Sequence, residues 1–339
     1  MTTHALSADR ALCRALLPRV SRTFAVNIRL LHGRFREAVE LGYLLCRAAD
    51  TLEDSWPGNQ REIARRFTGF EAALAGEADA ARELAAGAEA RVAAGAEFEL
   101  LAALPRVLSA FAALPARDRA IVREGVETLA AGMRRYAIRA TTRPAGSPYL
   151  DTEAELHDYC WVVAGCVGVM LTRLFGARSG DSGGALEARR LERAPAVGEA
   201  LQLTNILLDW PSDIRRGRCF VPAAWMNEWG LEPRHLVEGG RAGVPELAAR
   251  LEQLARRALA RVPDYLELIG VRHVRYRLFC LWPTLWAQAS LRYARRDPEF
   301  PWGARRPRLP RSQLWGAALR SLLVAPHEGA TRRLYARLG

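Results

Sequence analysis

Lysine is missing from this 339-residue chain: all 49 basic side chains are arginines, against 37 acidic ones. With the abundance of alanine, that is the mark of GC-biased coding, so part of the +12 net charge reflects codon usage. The charge still favours anionic partners such as phosphates, acidic lipid or nucleic acid, without choosing among them. The six cysteines and six histidines are scattered, with no CxxC, no HExxH and no paired histidine spacing. That pattern argues against a disulfide framework or a zinc site and fits reduced, buried thiols in a cytoplasmic protein. The opening MTTHALSADR carries an acid and lacks the apolar stretch of a signal peptide. No run of about 18 uncharged apolar residues occurs, so no membrane span is expected.

Alternating β-type runs are nearly absent, and no GxGxxG follows a strand, which argues against a Rossmann cofactor domain. What is present is helical periodicity. Residues 8–31, 35–55, 59–76, 79–114, 117–140, 152–176, 186–215, 245–268 and 271–295 read as amphipathic or buried helices. Breaks fall where Pro and Gly cluster, at SWPGN, TRPAGSP and GARSGDSGG. No repeat and no long linker demands a second domain. The expectation is one all-α domain over 1–339, with a core at about 12–295 and a basic loop and C-terminal helix at 296–339.

Two acidic segments carry the chemistry. In RAADTLED, Asp50, Glu53 and Asp54 stand at i, i+3 and i+4 at the end of an apolar run. A solvated helix face paired with arginines is the plain alternative, and for this segment alone the better one. In QLTNILLDWPSD, however, Asn205, Asp209 and Asp213 also share one helical face, about 155 residues further on. Pro211 is expected to kink or tighten that helix. Two rows of oxygen donors amid apolar neighbours point to Mg²⁺, a hard ion that takes a few carboxylates plus substrate phosphate oxygens. A metal-bound diphosphate is a good leaving group, and a water-free apolar cavity would protect an allylic cation.

Here the chain resembles the squalene/phytoene synthase family. DTLED is similar to the family's DxxED motif and NILLDWPSD to its NxxxDxxxD. SRTF (21–24), YLLCRAADTLED, YCWVVAGCVG (from Tyr159), QLTN and RRGRCFVP follow in the family's order, over about residues 12–225. The resemblance implies an isoprenoid synthase-type helical bundle around an apolar cavity, with Asp50, Glu53, Asp54, Asn205, Asp209 and Asp213 binding Mg²⁺. It implies diphosphate contacts from Ser21, Arg22, Arg47 and Arg218, with Gln202 as a weaker polar candidate. Arg47 is expected to meet the diphosphate rather than neutralise the acids, and Ser21 to cap a helix. Tyr43 and Tyr159 match family tyrosines near the reacting carbons; core packing is their plain alternative. Leu208 and Ser212 depart from the family's polar residues and are expected to remove contacts near the diphosphate.

The activity implied is head-to-head condensation of two farnesyl diphosphates to presqualene diphosphate, then NADPH-dependent reduction to squalene. FCLWPTLWAQASLRYA and ARRPRLPR resemble the reductive members' ending, and Phe279, Arg305, Arg306 and Arg308 are the candidate NADPH contacts. The alternative for those arginines is a solvated basic loop. The rival enzymes are non-reductive: phytoene, dehydrosqualene or presqualene diphosphate synthases. A terpene cyclase is disfavoured by DxxED and SRTF. A non-catalytic basic protein bound to membrane or nucleic acid is disfavoured by six intact ligands, and tryptophans in apolar context speak against RNA. GDSGG (180–184) matches a trypsin-like nucleophile segment only in letters and reads as an interhelical turn. LWGAALRSLLV (314–324) can pack on the core or touch an anionic membrane peripherally, but is too short to span one.

Overall fold

Apolar side chains recurring every three to four positions give nearly every segment one buried stripe, and the chain answers with helices throughout. The computed structural model describes residues 3–21, 23–303, 306–327 and 329–338. No strand occurs among them; the only β-type pairing is an isolated bridge between Pro148 and Cys219. The fold is all-α, as the periodicity predicts. All six cysteines are free thiols, five of them buried.

The helices group into two units. The first, residues 1–142 and 169–187, holds α1 (Thr3–Val20), α2 (Phe24–Ile28), α3 (Gly33–Asp54), α4 (Gln60–Ala75), α5 (Ala78–Glu89), α6 (Ala96–Ala102), α7 (Leu104–Ala112) and α8 (Ala116–Thr141). Helix α3 is its centre, packed chiefly on α8 and also on α1, α6 and α7. Two predicted helices are subdivided. The 79–114 stretch breaks at a 3-10 turn and Gly95, restarts as α6, and breaks again at Ala103 before α7, which carries Pro105 in its first turn, where a missing N–H costs nothing. The 8–31 stretch breaks between α1 and α2.

The second unit, residues 143–168 and 188–339, holds α9 (Glu153–Cys160), a π-helical stretch (Trp161–Gly165), the start of α10 (Cys166–Ser179) and most of α11 (Ala185–Arg215). After these come α12 (Ala223–Asn227), α13 (Val244–Ala260), α14 (Val262–Glu267), α15 (Val274–Ala294), α16 (Arg311–Val324) and α17 (Ala330–Leu338). The predicted 245–268 helix divides at Arg261, because Pro263 starts α14. GDSGG is the turn between α10 and α11, with Gly180 and Gly183 at positive φ.

Glu153–Ser179 is long and apolar enough to cross a membrane by length and composition, with mean hydropathy 1.7 over its best window. Half of that window is buried inside the protein, as expected of a core helix. Gly168 on this segment and Gly198 on α11 serve close packing within the second unit. A Cβ on Gly198 of α11 would stand 2.2 Å from the carbonyl oxygen of Ala164, and one on Gly168 would stand 2.6 Å from that of Ala194. Only glycine lets these two backbones approach so nearly.

Candidate active site

In α3, Leu41, Leu44, Leu45, Ala48 and Leu52 form the buried stripe. Tyr43, Arg47 and Asp50 follow one another at helical spacing on another side, and Glu53 and Asp54 close the helix. Asp50 and Glu53 are half-buried; Asp54, the last residue, is exposed. Arg47 does not leave these acids alone, as the resemblance implied. Its Nη1 donates to Asp50 Oδ2 at 2.8 Å, and its Nη2 reaches Glu97 Oε1 at 3.4 Å. Burial alone would weaken the guanidinium's hold on its proton, but Asp50 and Glu97 outweigh it. Glu97, in the first turn of α6, was not singled out from sequence; the only signal was an acid beside the Gly95 break.

Ser21 does not cap α2. The N-cap residue is Thr23, without a side-chain bond, while Ser21 is buried and hydrogen-bonded through its side chain to Tyr43. The Tyr43 ring stacks on Phe24 at 5.8 Å between centroids. Burial pushes the Tyr43 phenol up, so it keeps its proton at neutral pH. Arg22 lies outside the described residues.

In the second unit, α11 runs unbroken through Pro195 and Pro211. Leu203, Ile206, Leu207, Leu208 and Trp210 are buried, and the Trp210 indole N–H donates to the Leu236 carbonyl at 2.9 Å. Asn205 is exposed, while Gln202, Asp209 and Asp213 are half-buried. Leu208 therefore belongs to the core stripe, about 100° round the helix from Asp209, and its replacement of a polar residue concerns packing. The Ser212 hydroxyl donates to the Asp209 carbonyl at 2.8 Å, satisfied within its own helix.

Asp209 already holds a cationic group. Arg306 Nη1 donates to both of its carboxylate oxygens, at 2.7 and 2.6 Å, and Arg306 Nη2 lies 3.4 Å from Asn205 Oδ1. Arg215 at the end of α11 holds the same tail, donating to the carbonyls of Trp302 at 2.7 Å and Gly303 at 3.1 Å. One turn beyond Asp209, burial pushes the Asp213 carboxyl up, with the Asp209 charge adding to it against Arg216 and Arg218.

Tyr159 is buried and stacks on Phe220 at 4.9 Å; Tyr149 meets the same ring edge-on at 5.1 Å. Arg218 lies over both, 5.5 Å from the Phe220 centroid and 5.8 Å from that of Tyr149. The Phe220 and Tyr149 contributions were not foreseen. Tyr159 is the penultimate residue of α9, just before the π-helical stretch, a local widening often found beside functional residues.

Among the described residues, no three His, Cys, Asp or Glu side chains form a ready metal cage. Magnesium does not require one, because it keeps waters and takes one or two carboxylates plus phosphate oxygens. The donors present on α3 and α11 are all hard oxygens, and Asp209 presents both of its own to a single positive group. Each row, taken by itself, fits Mg²⁺. Of the four NADPH candidates, three lie among the described residues. Phe279 is buried with its ring stacked on Tyr276, Arg306 is held by Asp209, and Arg308 is exposed. Arg305 lies outside the described residues.

The all-α fold is of the isoprenoid synthase type, as comparison with known proteins shows. The squalene/phytoene synthase family matches residues 17–313, and the chain belongs to that family. Human squalene synthase is 28% identical over 293 residues, covering 86% of this chain but only 65% of the human protein. This chain thus matches less than two thirds of that relative's length. A solved complex of TcSQS with the ligand BPH1237 superposes with a TM-score of 0.77 at 25% identity, covering 98% of this chain and 90% of that one. A dehydrosqualene synthase bound to a ligand superposes with a TM-score of 0.61 at 23% identity, covering 94% and 98%.

Proposed function

We propose that the protein joins two isoprenyl diphosphates head to head, farnesyl diphosphate foremost, giving presqualene diphosphate in a Mg²⁺-dependent reaction. In our reading it then reduces this product to squalene with NADPH. The observation that carries the first part is the oxygen row of α11: Asn205 and Asp209 converge on one positive group, and Asp213 follows on the same face. Such a row is built to receive cations.

Asp50, Glu53 and Asp54 on α3 and Asn205, Asp209 and Asp213 on α11 would hold Mg²⁺. When bound, the ion neutralises charge developing on a departing diphosphate. Arg47, Arg218 and Arg22 supply permanent charge and forked donors for diphosphate oxygens. Arg47 reaches that role by exchanging a carboxylate partner for a phosphate. The Tyr43 phenol, kept protonated by burial and hydrogen-bonded to Ser21, can donate a hydrogen bond to a leaving oxygen. Tyr159, fixed against Phe220, can present its ring or hydroxyl to a carbocation. Gln202 is a supporting polar group beside the metal row.

Likeness to squalene synthases in sequence and structure supports the reductive ending. The dehydrosqualene synthase likeness supports a second reading, in which the sequence of steps ends by proton loss without reduction. Purified protein incubated with farnesyl diphosphate and Mg²⁺, with and without NADPH, separates them. Squalene formed only with NADPH is the expected result. No squalene with NADPH, or squalene without it, overturns the reductive reading, and a geranylgeranyl diphosphate arm tests chain length.

A further inference from the structure

Helix α16 turns its small residues inward and its large ones outward. Ala317, Ala318 and Ser321 are buried, whereas Trp315, Leu319, Leu322 and Leu323 are 51%, 62%, 44% and 75% exposed. Two hydrogen bonds fix this orientation: the Trp282 indole donates to Ser321 Oγ at 2.8 Å, and the Trp286 indole to the Leu314 carbonyl at 3.1 Å. Scattered exposed leucines need no explanation. Here, of the eight large exposed apolar side chains among the described residues, four stand within nine positions of one helix. At about 100° per residue they span roughly 100° of its circumference, with Arg311 about 20° before the arc and Arg320 about 60° after it. Both arginines are exposed.

We propose that this face of α16 is a docking surface for an anionic lipid bilayer, with the helix lying in the plane of the interface. Charge selects the occupant. Arg311 and Arg320 flank the face and α16 carries no acidic residue, so a second copy presenting the same face would bring like charges together. An anionic bilayer offers the complementary charge and an apolar interior for tryptophan and leucine at once, which is the pattern of an interfacial helix. At 14 residues the helix is roughly 21 Å long, too short to span. The inference is independent of which product the enzyme makes.

The test uses the full chain with large unilamellar vesicles, either one part phosphatidylglycerol to three parts phosphatidylethanolamine or pure phosphatidylcholine, read by flotation. The parent should partition at least about tenfold more strongly onto the anionic vesicles, and added salt should weaken that binding. L319S/L323S should lower partitioning about tenfold or more with an unchanged far-UV spectrum. R311Q/R320Q should lower it about tenfold on anionic vesicles only. Brominated lipid should quench the parent's tryptophan emission more than that of W315F, a milder change that guards against misfolding of the double variant. Equal partitioning of parent and L319S/L323S overturns the proposal. So does a parent dimer that L319S/L323S converts to monomer in sedimentation, which would assign the face to a second copy.

Discussion

Arg306 grips Asp209 with a single guanidinium nitrogen set between both carboxylate oxygens, at 2.7 and 2.6 Å, although 97 residues separate them. The tail thus supplies a positive charge to the row of donors that sequence reading assigned to magnesium, and an incoming cation competes with it. Removing Arg306 should therefore tighten binding of Mg²⁺ or Mn²⁺ in the absence of substrate. The pair is about one-third exposed and screened, worth at most about 1 kcal/mol, so R306Q should gain roughly two- to fivefold in affinity. Calorimetry of metal binding checks this, and an unchanged affinity would make Arg306 a bystander.

Asp50→Asn and Asp209→Asn should each lower turnover by about 10²-fold or more while the helical spectrum persists. D50N also releases Arg47 from its 2.8 Å partner, leaving Glu97 as its remaining carboxylate. Steady-state kinetics at saturating Mg²⁺ separate this from a simple loss of metal affinity, which excess ion would rescue.

Tyr159→Phe keeps the stack on Phe220 and removes only the hydroxyl. If the hydroxyl works on substrate, kcat falls about tenfold or more with the melting temperature unmoved. If the ring alone matters, Y159F is near parental, and Phe220→Leu lowers both activity and stability.

Gly198→Ala tests the close approach within the second unit. Alanine improves helix propensity by about 1 kcal/mol. Its methyl, however, would fall 2.2 Å from the Ala164 carbonyl oxygen, a backbone atom that cannot rotate aside. Overpacking costs about 1–3 kcal/mol and should win, so the expected result is a lower denaturation midpoint in urea.

The first unit carries an acid-sensitive tie between α1 and α7. Asp9 accepts from Arg106 Nε at 2.7 Å and from the Ser109 hydroxyl at 2.6 Å. Burial alone would push the carboxyl up, but Ser109 and Arg106 together hold it below its ordinary 3.8. A carboxylate depressed on folding stabilises above its unfolded value and loses that contribution as pH falls through the folded one. Asp9→Asn should therefore cost about 1–2 kcal/mol at pH 7 and at pH 5, with the gap from the parent shrinking below about pH 4. Urea denaturation at those three pH values reads it out.

Much of this was legible in one dimension. Helices, their apolar faces and the turn at GDSGG follow from periodicity and from Gly and Pro, because backbone preference and burial are local. Spacing alone put Asn205, Asp209 and Asp213 on one face, and the order of motifs pointed to the family. Leu208 shows where that reasoning stops. Its place beside Asp209 invited a reading at the site, yet one residue of helical rotation turns it into the core.

The partners of the charges were decided only by the fold. With 49 arginines available, nothing local says which one meets which acid. Glu97 reaches Arg47 from 50 residues away, and Arg306 reaches Asp209 from 97. Coulomb attraction depends on distance through space, which the order of residues does not contain. The same holds for α16: composition made it apolar, but only the packing of Ala317, Ala318 and Ser321 determined that its tryptophan and leucines face outward. The sequence by itself thus determined the helices, the chemical character of each acidic row and the family. The tertiary structure decided which cation each row already holds and which face is left for a partner.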